Sequence, residues 1–205
     1  MTIFDTLSAD KLRDGLDSTI IGREIVVLED TTSTNDSVLE RTSTTTPEGL
    51  VVFAERQTAG RGRRNNSWES APGKGLWFSI LLRPKIEIAS SPQLAEWAAR
   101  TVAETISKEF SLPATMKLPN DVYVAGKKVA GVLIEMRAQQ SAAHIAIVGI
   151  GVNVNHQPED FSGELGARAT SLAMALGRQI DRHQFAIALL RNLTRTYVDV
   201  FAGKS

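Results

Sequence analysis

The chain has 205 residues, 42% of them hydrophobic and 22% charged, enough to bury one sizeable core, so a single globular domain over residues 1–205 is expected. Lys+Arg and Asp+Glu both number 23, and the resulting zero formal charge excludes a whole-molecule field that would draw the protein onto nucleic acid or an anionic membrane. No cysteine is present, which excludes disulfides, thiolate metal sites and cysteine nucleophiles together; with no apolar leader and no run near the roughly 18 apolar residues of a membrane span, a cytoplasmic protein is expected.

Leu7, Leu12 and Leu16 among charges predict a short amphipathic helix over residues 5 to 20. Glu24 to Leu28 reads as a strand. Thr32, Ser33, Thr34 and Asn35 supply N-cap residues ahead of Val38 and Leu39, so a second helix should begin there and end near the polar run 42–49. Leu50 to Ala54 is a buried-strand pattern, whereas Gln57 to Trp68 is glycine-rich, basic and aperiodic, a long loop of the kind that is usually functional. Gly75 to Pro84 is β-rich and ends at the proline. Ser91 as N-cap and Pro92 at the first helical position predict a helix to about Phe110, with Leu94, Trp97, Ala98, Val102 and Ile106 at helical spacing. Ala114 to Lys117, Val122 to Val124 and Lys128 to Glu135 read as strands, the last two joined by a tight turn at Ala125-Gly126-Lys127, and Ile145 to Asn153 returns hairpin-wise. Asp181 with Gln184 forms a capping-box pattern before a last helix that should bury Phe185, Leu189, Leu193, Tyr197 and Val200. Hairpins in the middle with helices at both ends predict an α+β layer fold.

Gly60-Arg61-Gly62-Arg63-Arg64 combines backbone N–H groups that can approach an anion with guanidiniums that can clamp it, which suits phosphates, although a solvated basic loop reads equally well. It has neither the ending of a P-loop nor the context of a dinucleotide fingerprint. Lys117-Leu118-Pro119-Asn120-Asp121 sets a lysine and an Asn-Asp pair at one sheet end, yet it is also ordinary turn chemistry. Lys127-Lys128 before Val129-Ala130-Gly131 is a second cationic site or the charged end of a hairpin. Gly149 and Gly151 weaken a strand unless a ligand or a helix approaches closely. His144, His156 and His183 lack ligand spacing and read as structural or surface residues; Trp77, Trp97 and Phe78 read as core.

The order of these pieces, from Thr31-Thr32-Ser33-Thr34-Asn35-Asp36 through the Gly-Arg loop, Lys117 to Asp121 and Gly126 to Val132 to Gly149-Ile150-Gly151-Val152-Asn153, resembles the biotin protein ligase family over roughly residues 20 to 200. The resemblance implies a mixed, largely antiparallel sheet flanked by helices, related to class II aminoacyl-tRNA synthetases and lipoate ligases. It implies ATP-dependent activation of biotin to biotinyl-5′-AMP and transfer to a lysine of a biotin carboxyl carrier protein. Mg²⁺ should accompany ATP, with no protein ligand assigned and Asp121 the sole candidate. By the same resemblance Ser33, Thr34, Asn35 and Gln57 serve the biotin ureido ring. Gly60, Arg61 and Arg63 close over biotin, with Lys128 and Gly131 beside it. Arg63, Trp68, Lys117, Asn120, Lys128 and Asn153 serve the nucleotide, and Lys128, Arg63 and Lys117 are the catalytic candidates. No DNA and no membrane partner is expected, and a homodimer is left open. About 30 residues before the Ser-Thr-Asn motif are too few for a winged helix, and no C-terminal SH3-like barrel is expected. Asn65 and Leu118 stand where the family usually has glycine and tryptophan. A non-catalytic biotin-binding protein and a lipoate or octanoate ligase are the competing functions.

Overall fold

A computed structural model describes residues 6–16, 20–139 and 144–202. Of the helix predicted over residues 5 to 20, residues 5 and 17–19 lie outside the described residues; the remainder forms α1 (Ala9–Asp14), whose N-cap Ser8 accepts the Lys11 N–H.

Seven strands build one sheet: β1 (Glu24–Thr31), β2 (Leu50–Gln57), β3 (Gly75–Leu82), β4 (Ala114–Lys117), β5 (Asp121–Val124), β6 (Lys127–Arg137) and β7 (Ile145–Asn153). Their order is β1-β2-β3-β7-β6-β5-β4, and every pair but β1–β2 is antiparallel. The expected mixed, largely antiparallel α+β sheet is therefore present. Ala125 and Gly126, at φ of 50° and 76°, turn β5 into β6 as a two-residue loop, the hairpin geometry that needs two left-handed residues.

The helices α2 (Thr34–Glu40), α3 (Ser91–Phe110), α4 (Leu165–Arg168), α5 (Leu172–Leu176) and α6 (Arg182–Tyr197) complete the layers. On one face, α3 and α6 press Leu94, Trp97, Val102, Ile106, Phe185 and Leu193 onto Phe53, Phe78, Val132 and Ile150. Each fully buried side chain of this kind contributes about 1.5–3 kcal/mol, and Leu193→Ala would cost about 2–5 kcal/mol. On the other face α2 covers a smaller cluster of Val38, Val52, Leu81 and Ile147. Farther along that face the large side chains give way to Ser79, Gly149, Gly151 and Gly131, which face one another across β3, β7 and β6. The sheet surface is lowered there.

A buried ion pair ties the N-terminal segment to the core. Arg182 at the start of α6 donates to both carboxylate oxygens of Glu55 on β2, at 2.8 and 3.1 Å, and to the Gly75 carbonyl. The same carboxylate accepts the Leu7 N–H at 2.7 Å, and His183 Nε2 accepts the Ser8 N–H.

Two local expectations need correction. The cap of α3 is Ser90 rather than Ser91, which puts Pro92 at the second helical position, still free of any N–H obligation. Asp181 caps α6 by accepting the Gln184 N–H, but the helix gives way to a wider turn at Val198–Ala202, leaving Val200 exposed. The short α4 and α5 have too few turns for a periodic signal. In the basic loop Arg64 is left-handed, at φ 56°.

Candidate active site

The site lies on the lowered part of the sheet, between the first turn of α2, the 60–68 loop, β6 and β7. Ser33 provides no side-chain cap for α2. The first-turn N–H of Thr34 donates instead to Gln57 Oε1 at 2.9 Å, and Thr34 Oγ1 donates to the same oxygen. Gln57, the last residue of β2, thus satisfies a helix end that its own cap leaves open. Ser79 Oγ lies 2.7 Å from Thr34 Oγ1 and 2.6 Å from Asn35 Oδ1, while Asn35 Nδ2 donates to Glu135. These hydroxyl and amide groups hold one another in fixed orientations at one end of a small cavity.

The loop folds as a tight hairpin. Trp68 N–H donates to Gly60 O and Gly62 N–H to Asn66 O, with a β-bridge between Arg61 and Ser67. A Cβ on Gly60 would stand 2.5 Å from the Trp68 carbonyl, so only glycine fits. Trp68 then lays its indole on Gly131 and Gly151, where added Cβ atoms would come within 2.9 and 2.7 Å of the ring. Gly149 receives Asn35 in the same way, at 2.4 Å. The strand glycines therefore accommodate one side chain from α2 and one from the loop. Trp68 Nε1, though buried, has no hydrogen-bond partner among the described residues, so a donor remains available there.

Two cations face the cavity from its other end. Arg63 donates to Asn120 Oδ1 at 3.1 Å, and Asn120 is fixed by two bonds with the Val132 backbone. Lys128 Nζ lies 2.7 Å from Asp121 Oδ1 and 5.3 Å from the Trp68 ring. Strict alternation would send Lys128 and Gly131 to opposite faces of β6. The register with β5 shifts between Val122 and Tyr123, skipping Val129, and this bulge brings Lys128 round to the cavity. The Thr170 N–H holds the Lys128 carbonyl, and Asn153 Nδ2 holds the Thr170 carbonyl.

Arg61 behaves differently from Arg63. Its guanidinium makes two 2.7 Å bonds to the two oxygens of Asp36 and a longer one to Glu135. The hydrogen bond from Arg61 holds the Asp36 carboxyl below the usual carboxylate range, and Asp36 in turn raises the Arg61 pKa.

Ser33, Thr34, Asn35, Gln57, Arg61, Arg63, Trp68, Asn120, Lys128 and Gly131 all line one cavity of about 50 Å³. Three candidates do not. Gly60 is buried at the base of the loop, where its carbonyl accepts the Trp68 N–H. Asn153 is buried and donates to the Thr170 carbonyl. Lys117 ends an edge strand with its ammonium over the Tyr123 ring, 5.7 Å from the centroid. Leu118, beside the cis Pro119, is exposed. The sequence missed Glu135 and the pairing of Asp36, because neither carboxylate is marked until the fold places it beside Arg61. Among the histidines, His156 is buried between Trp77 and Phe161, and burial depresses its pKa to about 4; Asp160 pulls it upward and Lys74 downward. No group of three or more His, Cys, Asp or Glu that could hold a metal occurs among the described residues.

Residues 27–153 match the model of the biotin/lipoate A/B protein ligase family. The chain is 41% identical over 176 residues to the bifunctional ligase/repressor BirA of Bacillus subtilis, covering 86% of this chain and 54% of that protein. It is 32% identical over 193 residues to the biotin–[acetyl-CoA-carboxylase] ligase of Mycobacterium tuberculosis, covering 91% and 69%. The chain thus spans about half the length of the Bacillus relative. Among solved structures, the biotin protein ligase of Aquifex aeolicus in complex with biotin and ATP superposes with a TM-score of 0.75 at 33% identity, covering 89% of this chain and 73% of that one. The mixed seven-stranded sheet is accordingly the class II synthetase-like fold expected from the motifs. With a match over more than half its residues, the chain belongs to the biotin/lipoate A/B protein ligase family.

Proposed function

We propose that the chain activates biotin with ATP as biotinyl-5′-AMP and transfers the biotinyl group to a lysine of a biotin carboxyl carrier protein. The supporting observation is that one cavity is lined both by neutral hydroxyl and amide groups and by the cations Arg63 and Lys128, with the Trp68 ring 5.3 Å from the Lys128 ammonium. The neutral end, with Ser33, Thr34, Asn35 and Gln57, suits the N–H and carbonyl groups of a ureido ring. A dithiolane or an alkyl chain brings no matching N–H and carbonyl groups to these side chains, which disfavours lipoate and octanoate.

In the first step a biotin carboxylate oxygen attacks the α-phosphorus of ATP and pyrophosphate leaves. Two anions must meet, and charge builds on the phosphoryl oxygens, so fixed cations lower the barrier. Arg63 and Lys128 are those cations. Asn120 steadies Arg63; Asp121 steadies the Lys128 ammonium, and Asn153, through Thr170, its backbone. In the second step the carrier amine attacks the acyl carbon, AMP departs with the former bond electrons, and no protein nucleophile is needed. Lys117 does not reach the cavity as the loop stands, and in this scheme it meets the nucleotide at the outer edge. Mg²⁺ would accompany ATP, held mainly by phosphates and water, with Asp121, which pairs with Lys128, the candidate carboxylate. It would supply charge neutralisation of the leaving pyrophosphate.

No described helix is long and apolar enough to cross a membrane. Incubation with ATP, Mg²⁺ and biotin, lipoate or octanoate, followed by mass detection of the acyl adenylate, tests the reading. Only biotin should yield product; tight biotin binding without adenylate would favour a binding protein.

A further inference from the structure

Arg61 and its loop neighbours Gly62 and Arg63 line two spaces at once: the cavity of about 50 Å³ on the inner side and an open groove of about 480 Å³ on the outer side. The loop is the wall between them. Most of its hydrogen bonds are internal to the hairpin or at its base, where Ala59 N–H meets Thr32 O. Arg61 instead reaches out to fixed structure. Asp36 sits in the first turn of α2, a helix anchored by fully buried Val38 and by the Asn35–Ser79 bond, and Glu135 belongs to β6, where it also holds Asn35.

We propose that Asp36 and Glu135 form a latch that keeps the 60–68 loop closed over the cavity, acting through Arg61. Both are positioning residues, and Arg61 is their strike plate and not an anion ligand. Three observations carry this. The Arg61–Asp36 contact is forked, with both bonds at 2.7 Å, so it fixes direction as well as distance. Arg61 already faces two carboxylates, whereas Arg63, two residues away, faces a neutral amide; an anion entering the cavity gains more from Arg63. The closed space is also far smaller than the roughly 300–1,000 Å³ of ordinary small-molecule pockets, so a ligand must enter while the loop is displaced. At 40% and 38% side-chain exposure the pair is reachable by water and can open, unlike a buried pair. The inference depends on the proposed function only in using biotin as the probe.

The test has two arms. Amide exchange of ligand-free protein should be about three- to tenfold faster at Gly62, Asn66 and Trp68 in Asp36→Asn than in the parent, an effect suited to a half-exposed forked pair, and Asp36→Glu should recover part of it. Biotin association, followed by Trp68 fluorescence in stopped flow, should accelerate by a similar factor. Arg61→Gln should change neither quantity further in a background carrying both Asp36→Asn and Glu135→Gln. Protection of the Ser37 N–H, bonded to Ser33 O within α2, reports whether the helix survives; if it is lost, Glu135→Gln on β6 decides by the same readouts. Unchanged exchange in the loop would overturn the latch. So would an Arg61→Gln loss of biotin affinity that is equal in both backgrounds, since that makes Arg61 a ligand contact. If no variant binds biotin, the proposed function fails while the exchange arm still decides the latch.

Discussion

Two arginines in this molecule pair with carboxylates through forked contacts, and burial gives them opposite uses. Arg182 and Glu55 meet in the core, with side chains 2% and 10% exposed, and tie α6, β2, the start of β3 and the N-terminal segment together. Arg61 and Asp36 meet at the cavity mouth with side chains 40% and 38% exposed. Removing either buried partner leaves a charge without solvent or counter-charge, so that contact stays closed in the folded state. The exposed one is screened and exchanges readily with water, so it can serve a moving part. The frame should therefore govern stability and the cavity should govern ligands and chemistry, and mutations should sort accordingly.

The largest expected effect breaks the frame. Glu55→Gln strands the Arg182 charge and should destabilise the fold by about 3–5 kcal/mol in urea titration. The surviving folded fraction should bind biotin normally; lost affinity at equal folded fraction would erase the distinction between frame and site.

His156 sharpens the same comparison through pH. Its folded pKa of about 4 lies below the ordinary 6.5, so the fold favours the neutral ring. The associated stability is complete above pH 6.5 and is lost as pH falls from there through about 4, in total about 3 kcal/mol. The lowered pKa of Asp160 pushes in the same direction: burial opposes the lowering, but the Gln157 N–H and Lys74 outweigh it. The parent should thus lose more stability between pH 7 and pH 4 than His156→Phe, and parallel curves would refute the assignment.

On the cavity side, Lys128→Ala should slow adenylate formation on the order of 10²-fold with little change in melting temperature, as for loss of one preorganised charge donor. A near-parental single-turnover rate would return this lysine to the status of a hairpin charge. The smallest effect belongs to Gly149→Ala. Its Cβ would stand 2.4 Å from Asn35 Oδ1, so Asn35 must shift, and the biotin KM should rise about tenfold with kcat nearly unchanged. An unaltered KM would mean that Asn35 does not contact the ring.

What was legible in the sequence follows from what is local. The periodicity of α3 and α6, the apolar runs of β2, β3 and β7 and the Ala125-Gly126 turn are properties of adjacent residues, and each element formed near its expected bounds. The motif residues that converge were found because their order carries the family resemblance. Other features arise from pairings distant in sequence. Alternation along β6 gave no sign of the Val129 bulge that turns Lys128 inward. Arg61 and Asp36 are adjacent only through the fold, and so are Asn153 and Thr170. Lys117 matches a motif but ends an edge strand over Tyr123. Charge and residue type identified the candidates; register and loop closure decided which of them face the cavity.

The central claim is that Arg63 and Lys128 at one end, and the Ser33 to Asn35 and Gln57 groups at the other, form a site that adenylates biotin. Single-turnover mass detection of biotinyl-5′-AMP, with enzyme in excess over biotin and with ATP and Mg²⁺ present, tests it most directly. The account predicts stoichiometric adenylate from the parent and a rate lower on the order of 10²-fold from Lys128→Ala. Biotin recovered unmodified from a parent protein that nevertheless binds it would contradict the account.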